Sequence, residues 1–158
     1  MNEISIRAYQ PSDLPALRDI TLSSFSGVAL DQILEEKLGR WNERGWKARK
    51  SDQLEDDCLS NPSGVFVAVR DGLVLGFITT RVDRHNERGR IPNMAVTEEA
   101  RGLGLGRRLI NRALDYLRAE GMKIVQIETM ASNEVGTHLY PSCGFQEMTR
   151  QVHYAMKL

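Results

Sequence analysis

The sequence predicts a single α/β domain over residues 1–158, with a mixed, mostly antiparallel central sheet flanked by helices. Its expected order is β-α-α-α-β-β-β-α-β-α-β. Three observations carry this expectation. Met94-Ala95-Val96 has strand character and leads through Arg101-Gly102-Leu103-Gly104-Leu105-Gly106 into a helical pattern. In that pattern Leu105, Leu109, Ala113 and Leu117 recur every four residues, and Ile110 and Leu114 widen the stripe. Upstream, Asp71-Gly72 joins two apolar runs, a tight-hairpin signal because both central residues of such a turn need positive φ. Downstream, Ile124-Val125-Gln126-Ile127-Glu128-Thr129 alternates as a strand does.

The remaining elements follow in chain order. Ile4-Ser5-Ile6-Arg7 alternates like a short strand, and Ser12 or Asp13 can cap a helix that tolerates Pro15 in its first turn. Leu14, Leu17 and Leu22 are its candidate core positions. A second helix is expected from Leu30 to Trp41, and a third from near Ser51, with Leu54, Cys58 and Leu59 inward. Asn61-Pro62-Ser63-Gly64 ends it. Strands are then expected over Val65–Val69 and Leu73–Val82, a solvated loop over Asp83–Arg90, and a strand over Ile91–Val96. The long helix should stop at Gly121, a natural residue for a helix C-terminus. A strand over Lys123–Thr129, a short helix over Asn133–Tyr140 and a last strand over Gln146–Lys157 complete the chain.

Composition removes several function classes. Lys plus Arg and Asp plus Glu number 21 each, so no global charge draws the chain to nucleic acid or membrane. No aromatic residues interleave with the arginines to stack bases. No apolar run is long enough to cross a bilayer, and the start has no signal-peptide pattern. Cys58 and Cys143 match no metal spacing, and His85, His138 and His153 form no ligand cluster. A reduced, cytoplasmic setting without a metal is therefore expected.

The glycine loop calls for an anionic ligand. A helix start offers unpaired N–H groups and the positive end of the helix dipole, glycine admits close approach, and Arg101, Arg107 and Arg108 add charge. The spacing fails the dinucleotide pattern Gly-x-Gly-x-x-Gly, because Arg107 stands at the last position, and no Gly-Lys-Ser/Thr triplet occurs. What remains is Arg-x-x-Gly-x-Gly at Arg101, Gly104 and Gly106, which resembles the acyl-coenzyme A signature of the GNAT superfamily of N-acetyltransferases. A second segment, Asn133, Gly136, Leu139, Tyr140, Gly144 and Phe145, is similar to that family's Asn-x-x-small-x-x-Leu-Tyr-x-x-x-Gly-Phe stretch. Together the two cover roughly residues 92–145.

The resemblance implies a GNAT fold, acetyl-coenzyme A as cosubstrate, and direct transfer of its acetyl group to a primary amine of a small molecule, peptide or protein. It places the cosubstrate on Met94, Ala95, Val96, Arg101, Gly102, Leu103, Gly104, Leu105, Gly106, Arg107 and Asn133. A backbone N–H within Met94–Val96 would steady the oxyanion. Glu128 lies five residues before Asn133 and twelve before Tyr140, a spacing similar to the bacterial ribosomal-protein N-terminal acetyltransferases. There the matching glutamate and tyrosine serve as base and acid. Tyr140 is accordingly the expected proton donor to the leaving sulfur. For the base, Glu128, His138 and a water relay stay open, and a base role for Glu128 implies partial burial or a relaying water. Asn133 also suits a helix cap, and Glu128 also suits an arginine partner. Pro92 and Asn93 depart from the apolar or acidic residues common in relatives, and Asn93 could face substrate. Cys143 has no evident adjacent base for an acyl-enzyme route.

The acceptor should enter between Ser24–Lys50, with Glu35, Glu36, Trp41 and Trp46, and Asp83–Arg90, near Arg81, Arg84, Arg88 and Arg90. Charged runs of this kind also form solvated faces. The alternative function is a non-catalytic acyl-coenzyme A sensor that regulates a partner. A homodimer is expected from family habit alone.

Overall fold

The computed structural model describes residues 2–158. In chain order the elements are β1 (Ser5–Ala8), α1 (Leu14–Ser24), α2 (Leu30–Leu38), α3 (Trp46–Ser60), β2 (Phe66–Arg70), β3 (Leu73–Ile78) and β4 (Arg81–Asp83). Then come β5 (Arg88–Ile91), β6 (Met94–Val96), α4 (Leu105–Ala119), β7 (Ile124–Ile127) and α5 (Glu134–Ser142). Short 3-10 turns at Pro11–Asp13, Pro62–Gly64 and Glu98–Ala100 link some of them. The strands form two sheets, β1-β2-β3-β6 and β4-β5-β7. All pairings are antiparallel except β5 with β7. The mixed, mostly antiparallel α/β architecture is the expected one.

Alternation along the strands feeds two cores, one on each face of the first sheet. Phe66, Ala68 and Ile78 turn toward Leu105, Leu109, Ile110, Ala113 and Leu117 of α4. Val65, Val67 and Phe77 turn the other way, toward Leu17 and Ile20 of α1 and Leu54 and Cys58 of α3. The α4 stripe read from the sequence is buried throughout, with Leu114 at its margin. Each fully buried leucine there contributes roughly 1.5–3 kcal/mol. The Cys58 thiol is enclosed in the second core, and burial pushes it up to about 12. The hairpin at Asp71-Gly72 is present, with φ of 53° and 78°.

Several expectations are corrected. The strand expected over Leu73–Val82 is cut in two at Thr79 and Thr80, both fully buried. Their hydroxyls take over the bonding there: Thr79 Oγ1 accepts from the Asn93 amide at 3.1 Å, and Thr80 Oγ1 donates to the Gly64 carbonyl at 2.7 Å. The strand expected over Ile91–Val96 is also cut, at Pro92-Asn93. Its first part begins within the stretch expected to be a solvated loop, so Arg88, Gly89 and Arg90 belong to β5. The second helix stops at Leu38 and the third starts at Trp46. Leu59 is exposed, because one residue beyond Cys58 the helix has turned its face to solvent. The last strand, Gln146–Lys157, is absent: residues 146–158 are exposed and pair with no strand. Alternating side chains favour an extended backbone, but only a partner edge makes a strand of it.

Asp13 does not cap α1 through its side chain. Its carboxylate, almost fully enclosed, instead takes two 2.8 Å bonds from the Arg7 guanidinium and one from the Gln10 amide. The Arg7 bonds hold its pKa below the ordinary carboxylate value despite burial. A depressed folded-state pKa stabilises above the unfolded value, ~3.9, and that stability is lost as pH falls below it. Asp13→Asn should therefore cost about 1–3 kcal/mol at neutral pH, a difference that shrinks as pH drops below ~3.9. Urea denaturation at both pH values checks this; a pH-independent difference contradicts it.

Candidate active site

The cleft begins where two parallel strands stop pairing. β5 and β7 run in register from Arg88↔Ile124 to Ile91↔Ile127. The next residue on one side is Pro92, which has no N–H to donate. Beyond it β6 pairs with β3 only, and the chain after β7 diverges. The two walls so parted, Met94, Ala95 and Val96 on one side and Glu128, Thr129 and Met130 on the other, line a cleft of about 1030 Å³.

Hydrogen-bond alternation sets the chemistry of the first wall. Thr79 N–H donates to the Asn93 carbonyl at 2.9 Å and Thr97 N–H to the Leu75 carbonyl at 2.8 Å. In an antiparallel ladder this gives Ala95 to β3 and turns the amides of Met94 and Val96 into the cleft. The Ser24 hydroxyl, 3.4 Å from the Val96 carbonyl, marks that outward side.

The glycine loop closes one end of the cleft. Gly104 precedes α4 in the left-handed region at φ 71° and offers no side-chain cap, so the first-turn amides of Leu105, Gly106 and Arg107 stay available to a ligand. Arg101, Gly102, Gly104, Leu105, Gly106 and Arg107 all line the cleft. Leu103 does not; its side chain is exposed. Arg107 is braced on Ser142 by bonds of 2.7 and 2.9 Å, whereas Arg108 points back to the Ile4 carbonyl. These features fit a phosphate-bearing cosubstrate: dipole, free amides and cations converge on one loop.

α5 supplies the opposite wall. Asn133 caps it, accepting from the Gly136 amide at 3.3 Å and donating to Thr129 Oγ1 at 2.9 Å. Its side-chain groups are thus used in capping, while the residue still lines the cleft. Gly136 has no Cβ because one would lie 3.0 Å from the Tyr140 ring. Tyr140 packs edge-on against Phe145 at 6.2 Å. Its hydroxyl bonds to no group among the described residues, so it is free for a ligand. Burial raises its pKa above the usual tyrosine value, and it stays protonated throughout the neutral range. Glu128 lines the cleft but is largely exposed, 2.8 Å from Arg90. His138 lies outside the cleft, bonded to the Glu134 carbonyl.

A second, polar cavity of about 400 Å³ adjoins the first. Lys50, Ile91, Pro92 and Glu128 line both. Of the regions expected to receive the acceptor, Ser24 to Ser26, Val28 to Leu30, Lys50, Arg81 and Arg90 reach the cavities, whereas Glu35, Glu36, Trp41 and Trp46 do not. Arg49 bonds Glu35 at 2.9 Å and stacks on Trp41 at 4.0 Å, holding α2 to α3. Arg84 and Arg88 pair with Glu120 and Asp83. Sequence reasoning missed Gln53, Asp56, Asp57 and Gln126, which line the second cavity. The signal was present: Lys50, Gln53 and Asp57 stand on one helical face, and Gln126 of β7 and Glu128 just beyond it fall on one side of the extended chain.

With this geometry in hand, the chain matches the model of the Acetyltransferase (GNAT) family over residues 28–145. It belongs to that family. It is 34% identical over 152 residues to a mycothiol acetyltransferase of Thermomonospora curvata, covering 96% of this chain and 47% of that protein. A mycothiol acetyltransferase of Cellulomonas flavigena is 30% identical over 161 residues, covering 96% and 43%. The chain thus spans about half the length of these curated relatives. Among solved structures it resembles the ribosomal-protein-S18-alanine N-acetyltransferase of Escherichia coli (25% identity, TM-score 0.65, 93% of this chain and 80% of that one). At the level of fold it also resembles a PaiA N-acetyltransferase of Thermoplasma acidophilum solved with coenzyme A (18% identity, TM-score 0.75, 95% and 94%). Among the described residues no His, Cys, Asp and Glu group could hold a metal, and no helix is long and apolar enough to cross a membrane.

Gly104→Val places a branched side chain at a left-handed position of the loop. Coenzyme A affinity should fall at least ~10-fold, as expected when about 1.4 kcal/mol of ligand contact is lost. Calorimetry on variant and wild type checks this, with thermal unfolding run alongside; undiminished affinity would take the loop out of the site.

Proposed function

We propose that this chain transfers the acetyl group of acetyl-coenzyme A directly to a primary amine that enters through the polar cavity. The observation that carries the proposal is the junction of the two cavities at Ile91, Pro92, Lys50 and Glu128. A thioester lying along β6 and an amine in the polar cavity would meet there. The cosubstrate supplies an activated acyl group; the chain supplies position and proton traffic. The amides of Met94 and Val96 orient the acyl oxygen and favour the charge it gains. Glu128, exposed to solvent and 2.8 Å from Arg90, takes the amine proton through water. Tyr140 gives its proton to the departing sulfur as the new C–N bond forms and the C–S bond breaks. Cys143 packs in the core behind Tyr140 and takes no part.

The relatives' names point to the mycothiol type of acceptor as the first amine to try, followed by amino acids, polyamines and peptides with free N-termini. The homodimer implied by family habit is retained as a proposal, checked by light scattering. Tyr140→Phe should lower turnover about 100-fold or more, the typical weight of a positioned acid, with coenzyme A affinity within about twofold. Thiol release and equilibrium binding measured together test this. Parallel loss of both would make the tyrosine structural, and unchanged turnover would remove it from the reaction.

A further inference from the structure

Lys50 has no ion-pair partner among the described residues. It is half-buried on α3 and lines both cavities at their junction. Its ammonium bonds Asn93 Oδ1 at 3.3 Å and lies 4.4 Å from the centre of the Phe25 ring. Neither partner carries charge. Its surroundings hold it there deliberately tightly: Asn93, 2% exposed, donates its amide Nδ2 to Asp57 Oδ2 at 2.7 Å and to Thr79 Oγ1 at 3.1 Å. With both donors so engaged, the amide oxygen has to face Lys50. The carboxylates that act on Lys50 through space, Asp57 and Asp31, make their bonds elsewhere, to Arg81 and Arg49. Burial is the dominant influence and lowers its pKa.

Most of the other charged groups lining the polar cavity form ion pairs. Arg81 meets Asp57 at 2.6 Å and Arg90 meets Glu128 at 2.8 Å. Lys50 and Asp56 remain, a cation at the junction and a carboxylate on the exposed face of α3. One unneutralised charge of each sign suits a zwitterion better than a simple cation. The anion in question is not the cosubstrate's pyrophosphate. Asn93 precedes β6, whereas the glycine loop follows it, so Lys50 stands at the end of the cleft away from the loop.

We propose that the acceptor is an amine that also carries an anionic oxygen group, and that Lys50, oriented by Asn93, binds that group at the junction of the two cavities. This rests on the acetyltransfer reading above and narrows its substrate class. It makes Lys50 a specificity-determining residue, with Asn93 as its positioning partner.

The test uses matched amines that differ in the anion alone: amino acids against their C-terminal amides, and phosphoethanolamine against ethanolamine. Wild type, Lys50→Met and Lys50→Arg are each assayed for thiol release from acetyl-coenzyme A. Binding of the same amines to the coenzyme A complex is measured by calorimetry. For at least one pair, wild type should prefer the anionic member at least tenfold in kcat/KM. Lys50→Met should bring that ratio to about one, and Lys50→Arg should restore most of it. A ratio is insensitive to any general loss of activity or folded protein. The carboxylate and phosphate pairs separately tell which anion is bound. Equal or better use of the neutral members by wild type, or a preference that survives Lys50→Met, overturns the proposal. Selective anion binding lost in Lys50→Met without any thiol release would uphold the anion site and defeat the transfer reading instead. Absence of both defeats both.

Discussion

Pro92 has no amide hydrogen, and the pairing of β5 with β7 ends at the residue before it. From that one missing donor the active region unfolds outward. β6 continues along β3 with its other edge open, and its alternating amides face a cleft instead of a neighbouring strand. Unpaired strand edges are ordinarily a hazard. Here the open edge is the one along which the proposed cosubstrate would lie, on its way to the helix N-terminus after Gly104.

Asn93 shows how the break is held in place. Its carbonyl keeps one ladder bond to Thr79, while its amide N–H bonds the Thr79 hydroxyl. Its side chain then joins α3, through Asp57 and Lys50, to the strand. One buried polar residue thereby ties together the sheet, the third helix and the meeting point of the two cavities. Such a network is worth its desolvation only when every member is bonded. The Lys50 ammonium, bonded to Asn93 Oδ1, lies where the two cavities meet.

The parts of this arrangement that were legible in the sequence depend on local rules. The Gly104 and Gly106 loop, the α4 stripe, the Asp71-Gly72 turn and the Asn133–Tyr140 segment each follow from backbone preference or periodicity within a short window. What was not legible depends on long-range pairing. Nothing local in Leu73–Val82 says that Thr79 and Thr80 will spend their hydroxyls on Asn93 and Gly64, since those partners lie 14 and 16 residues away. The tail from Gln146 alternates well enough for a strand, yet it meets no edge, and pairing rather than alternation makes a strand. Glu35 of α2 and Trp41 just beyond it looked like part of a receptor for an amine. They are committed to Arg49 instead, which binds Glu35 and covers Trp41. Charge and ring exposure in a sequence cannot reveal that such groups have already found each other.

The claim that the parted strands form the cosubstrate site makes a residue-by-residue statement about backbone amides. Hydrogen exchange followed by NMR, with and without coenzyme A, addresses it directly. On binding, the amides of Met94 and Val96 and those of Gly102 to Arg107 should become protected. Ala95, already bonded to β3, should change little. Protection of Ala95 alone, or protection confined to residues outside the cleft, would contradict the account.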